Sequence, residues 1–166
     1  LNNEANWNFF QVFMHSRNKK ESAYKSMFLA EDKDFESILK RAKTAEEKNM
    51  AYFLLAYDGF SNPVSLMEKM FANNANSDIL KVLTARSING LERSYLPIYM
   101  NCDENCDKTD KRLPLFSASF NYNSSEEDTE AKNHAKNLEQ FIEKVRSKSD
   151  DEFWQISSAY VKFLNK

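Results

Sequence analysis

Glycine is nearly missing from this chain, with two in 166 residues, and proline is scarce at three. A sandwich of many short strands needs far more of both at its turns, so the composition favours long helices joined by short connections. There is no apolar run long enough to span a bilayer and no h-region at the start, which excludes a membrane span in the chain as given. Charges nearly cancel, at a net −2, and no basic stripe stands out. Nucleic acid, whose phosphates call for clustered Lys and Arg, is therefore not an expected partner. No glycine-rich phosphate loop, nucleophile–base pair or metal shell is present, so neither an enzyme nor a cofactor or metal site is expected. The chain opens on Leu1 and not on Met, which reads as a processed or trimmed product.

What is present is helical periodicity. A chain of this length is one domain by the usual prior, and it buries about 70% of the surface exposed when unfolded. From Asp34 onward, Phe35, Ile38, Leu39 and Ala42 recur on one helix face, with Glu36, Lys40, Arg41 and Lys43 opposite. Thr44 and Glu47 have the spacing of a capping box that opens a second helix after a tight turn. That helix, through Met50, Ala51, Phe53, Leu54, Leu55, Ala56 and Tyr57, is apolar almost all round and is expected between neighbours on both sides. Gly59 can end it, with Phe60 as the accompanying apolar contact. Asn62-Pro63 starts a third helix bearing Val64, Leu66, Met67, Met70 and Phe71. Asn76 or Ser77 caps a fourth, with Ile79, Leu80, Val82, Leu83 and Ile88.

Gly90 follows Gly59 by 31 positions, and at the same offset Phe35 aligns with Leu66, Leu39 with Met70 and Phe60 with Leu91. On these residues, over 34–91, the pattern resembles tetratricopeptide-type repeats, whose unit is a helical hairpin of about 34 residues. The consensus small-residue and proline positions are mostly unmatched. The resemblance implies an all-α fold of stacked antiparallel helical hairpins, an α-α superhelix, and transfers no catalytic residue.

Outside that stretch, Trp7, Phe9, Phe10, Val12, Phe13 and Met14 form a first helix expected to pack under the rest. His15 at its end reads as a capping or surface residue. Asn18 with Glu21 marks a second start, with Ala23, Tyr24, Met27 and Phe28 as the buried stripe. Near the end of the chain, Ser124 or Ser125 caps a long helix whose stripe is Ala131, Ala135, Leu138, Phe141, Ile142 and Val145, with His134 at its boundary. Ser149 with Glu152 caps the last helix. Its expected buried face is Phe153, Ile156, Tyr160, Val161 and Leu164, with Trp154 and Phe163 off it, implying a second packing surface or an exposed edge.

Between these helices lies a long insertion, 95–125, bracketed by Pro97 and Pro114 and dense in polar residues that do not sustain a helix. Leu96, Ile98 and Met100 on one arm, and Phe116, Ala118, Phe120 and Tyr122 on the other, alternate with period two. A short β-hairpin and an extended segment laid across the helices are the two readings. At its tip, Cys102 and Cys106 are close enough in sequence for a local disulfide in an oxidising compartment, or for two exposed thiols in a reducing one. Zinc would lack further ligands nearby. Asp103, Asn105 and Asp107 have the alternate spacing of a calcium loop, but Lys108 stands where that loop needs glycine and Pro114 where it needs glutamate. Asn123-Ser124-Ser125 is a formal glycosylation triplet.

These features point to a non-enzymatic protein-interaction or scaffold module binding a protein or peptide partner, with Tyr52, Tyr57, Tyr95 and Tyr99 available to line a groove. Long connections in compact domains are usually functional, so the expected binding residues are Tyr95, Tyr99, Asp103, Asn105, Asp107, Phe116, Phe120 and Tyr122. The rival classes are an exported or cell-surface ligand-binding domain of a larger assembly and an enzyme whose site is scattered in sequence. Export to the periplasm or cell surface is favoured over the cytoplasm by the disulfide reading.

Overall fold

A computed structural model describes residues 2–27, 32–57, 63–95 and 125–165. Among the described residues the chain is all-α, without a strand: α1 Asn2–His15, α2 Lys20–Ser26, α3 Asp32–Arg41, α4 Ala45–Tyr57, α5 Pro63–Asn73, α6 Asp78–Tyr95, α7 Ser125–Arg146 and α8 Glu152–Leu164. No described helix is long and apolar enough to cross a membrane. The chain divides into two compact units, Leu1–Leu80 and Lys81–Lys166.

In the first unit α1 packs on α2 and α3, while α4 packs on both α3 and α5. Phe10, Met27, Phe35, Ile38, Ala51 and Leu54 make the core, and Trp7, Phe13, Tyr24 and Met50 close over it, half-buried. Burying one such side chain is worth about 1.5–3 kcal/mol. Flanked on two sides, α4 has the surroundings that its all-round apolar sequence requires. Its one fully buried polar side chain, Asn49, donates to the Met70 carbonyl at 3.1 Å and accepts from the Asn73 amide at 3.2 Å. The Met70 carbonyl, near the end of α5, thus accepts twice, from Asn49 and from the Asn74 amide at 2.9 Å. Because an early position on α4 meets late positions on α5, the two run antiparallel.

The capping box at the start of α4 is formed as the spacing predicts. The Glu47 amide donates to Thr44 Oγ1 at 3.1 Å, and the Glu47 carboxylate accepts from the amides of Thr44 at 3.1 Å and Lys43 at 2.8 Å. Those amide bonds, Thr44 first, hold the Glu47 carboxyl below its ordinary pKa. Gln11 on α1 donates to the same carboxylate at 3.2 Å and ties the cap to the core layer.

The expected start of α2 needs correction. The residue preceding the helix is Lys19, without a side-chain cap, and Glu21 pairs with Lys25 at 2.5 Å in place of closing a box with Asn18. Lys20 reaches back to the last carbonyls of α1, 2.5 Å from Phe13 O and 3.4 Å from Met14 O, with its ammonium 4.8 Å from the Phe13 ring centre. This closes the α1–α2 turn through a lysine, which a search for capping side chains does not detect. Ala23 and Met27 are buried as expected; Phe28 lies outside the described residues. Val12, expected inside, is 41% exposed, and His15, the last residue of α1, is exposed as expected.

Pro63 occupies the first position of α5, where its missing amide hydrogen costs nothing. Val64, Leu66, Met67 and Met70 are buried beneath it. The turn to α6 is built on Asn74, whose side chain accepts from the Asn76 amide at 3.0 Å. Leu80, Leu83, Thr84, Ser87, Ile88 and Leu91 are the buried positions of α6, at unbroken three-four spacing. Val82, expected on that face, is 51% exposed, since two small hydroxyl residues occupy inward positions that polarity alone would send outward. Gly90 lies inside α6, which runs on to Tyr95.

In the second unit α7 packs on α8. Ala135, Leu138, Phe141, Ile142 and Val145 form the buried stripe of α7 that the periodicity predicts, and His134 sits half-buried at its boundary. Burial there pushes the His134 pKa down. The side chain of Ala131, the turn at Gly59, Asn62 and the whole of 96–124, with its hairpin reading and its disulfide pair, lie outside the described residues.

Candidate functional site

With about 100° of rotation per residue, α8 carries two separate apolar stripes. Trp154, Ser157, Ser158, Val161 and Leu164 share one face, and all are buried. Ile156, Ala159, Tyr160 and Phe163 share nearly the opposite one, at the spacing i, i+3, i+4, i+7. Ile156 is 68% and Phe163 60% exposed, Ala159 is exposed and Tyr160 half-buried. This reverses the expected placement of two residues: Trp154 is inside at 1% exposure and Ile156 is outside. Trp154 has the larger apolar surface to remove from water, and it packs edge-on to Phe141 at 6.3 Å and Phe153 at 5.0 Å.

The rotation of α8 is fixed by polar contacts along its length. Asp151 is the N-cap, accepting from the Phe153 amide at 2.9 Å, where Ser149 was expected; Ser149 Oγ instead accepts from the Asp151 amide at 3.3 Å. Lys81 on α6 also meets the Asp151 carboxylate, at 2.5 Å. Lys81 first, and the Phe153 amide second, hold the Asp151 carboxyl below its ordinary pKa. Further along, Glu143 on α7 accepts from Arg146 at 2.8 Å, from the Ser158 hydroxyl and from Lys162 at 2.9 Å. Those hydrogen bonds, Arg146 first, bring the Glu143 carboxyl down to about 2. At the end of α8, Asn165 donates to Glu139 at 2.6 Å. Ser158 of α8 and Asn165 just after it thus meet Glu143 and Glu139 of α7, so the two helices run antiparallel. Lys81–Asp151 and Glu92–Tyr160 instead pair early with early and late with late, so α6 and α8 run in the same direction.

Two of these contacts shape the outer face directly. The Tyr160 hydroxyl donates to Glu92 Oε1 at 2.6 Å, which holds the ring, and Phe163 stacks on it at 6.3 Å with 16° between planes. An aromatic pair fixed before binding loses little side-chain entropy when a partner covers it. Chemically the face offers apolar contact, with Glu152 in the first turn of the helix and Lys162 in the last.

Tyr95 ends α6, while Tyr99, Cys102, Asp103, Asn105, Cys106, Asp107, Phe116, Phe120 and Tyr122 lie outside the described residues. Among the described residues no group of three or more His, Cys, Asp or Glu could hold a metal ion. The signal for the outer face was present in the sequence as a second three-four set on one helix, partly read through Phe163. No family model, curated protein or solved structure matches the chain.

Proposed function

We propose that this chain is a non-enzymatic protein-interaction module built from stacked helical hairpins, which holds a protein or peptide partner on the outer face of α8. The observation that carries this reading is the exposure of Ile156 and Phe163 on a helix whose opposite face is already buried. Stability alone gives no reason to place large apolar side chains there, whereas exposed apolar surface with a fixed aromatic anchor is the usual core of a binding patch. In this reading α4, covered by α3 and α5, is an inner helix of a stack like that of tetratricopeptide-type repeats, and the 95–125 insertion adds contacts of its own.

The test is a pull-down from the native source, with the partner identified by mass, using the wild type, Ile156→Glu/Phe163→Glu, and a chain with residues 101–111 replaced by a short Gly-Ser linker. Loss of the partner from the α8 variant at unchanged circular dichroism supports the reading. Retention by that variant and loss from the linker chain would move the site to the insertion.

A further inference from the structure

We draw no further inference here: the strongest candidate, the exposed apolar stripe of α8 around Ile156 and Phe163, belongs to the site already described, and nothing in the structure shows what covers it.

Discussion

α4 and α8 are the same length, 13 residues each, and both carry apolar residues around most of their circumference. Their surroundings differ. α4 has α3 on one side and α5 on another, and its large side chains are buried or half-buried. α8 buries one stripe, against a helix partner in α7, and leaves Ile156 and Phe163 in solvent. An all-round apolar helix is therefore no sign of function where neighbours cover it. On α8, by contrast, Ile156 and Phe163 stay exposed although the opposite stripe is buried.

The largest contrast lies within α8 itself. Trp154→Ala is expected to destabilise the chain by about 3–5 kcal/mol, because a fully buried indole leaves a cavity that packed neighbours fill only in part. Ile156→Ala, two residues away, should change stability by no more than about 0.5 kcal/mol. Urea unfolding of both variants measures the contrast, and similar losses would mean that the two stripes are not inner and outer faces. On α4, Leu54→Ala is expected to cost about 2–5 kcal/mol by the same measurement.

Much of this contrast could be read from residues, and some could not. α3 and α7 were legible because their apolar residues recur at three-four spacing with few rivals, and the Thr44–Glu47 cap because both partners lie within one turn. α8 misled because Phe153, Trp154, Ile156, Tyr160 and Phe163 compete for the interior, while Ser157 and Ser158, which take inward positions, look polar. Ser158 is accommodated by Glu143, 15 positions earlier, and the capping Asp151 is paired with Lys81, 70 positions earlier. Such partners belong to tertiary structure and leave no local mark. Asn49 went unnoticed for the same reason, since the groups it satisfies lie 21 and 24 positions away.

A smaller effect tests the polar clamp that orients α8. The Glu143 carboxyl titrates at about 2 in the folded chain, below its ordinary value of 4.5. A depressed carboxylate stabilises the fold fully above its unfolded pKa, and that contribution is lost as pH falls from about 5 toward 2. With partial exposure and solvent screening the loss is about 1–2 kcal/mol. Glu143→Gln should therefore be less stable than the wild type by that amount at pH 7 and nearly equal to it at pH 2, as read by denaturant midpoints at the two pH values. An equal difference at both would assign the effect to packing.

Smaller still, Thr44→Ala is expected to cost about 1 kcal/mol, the usual worth of an N-cap side chain, at the start of a helix that is otherwise secured on two sides. A loss several times larger, in thermal or urea unfolding, would mean that the Gln11–Glu47 contact depends on the cap and that the two act as one unit.

The central claim is that the outer stripe of α8 serves binding and not folding. Its most direct test is to titrate the partner recovered with the native chain into the wild type and into Ile156→Glu/Phe163→Glu, and to compare dissociation constants alongside unfolding midpoints. The account predicts a dissociation constant raised more than about tenfold at an unchanged midpoint. Equal dissociation constants in two equally stable proteins would contradict it.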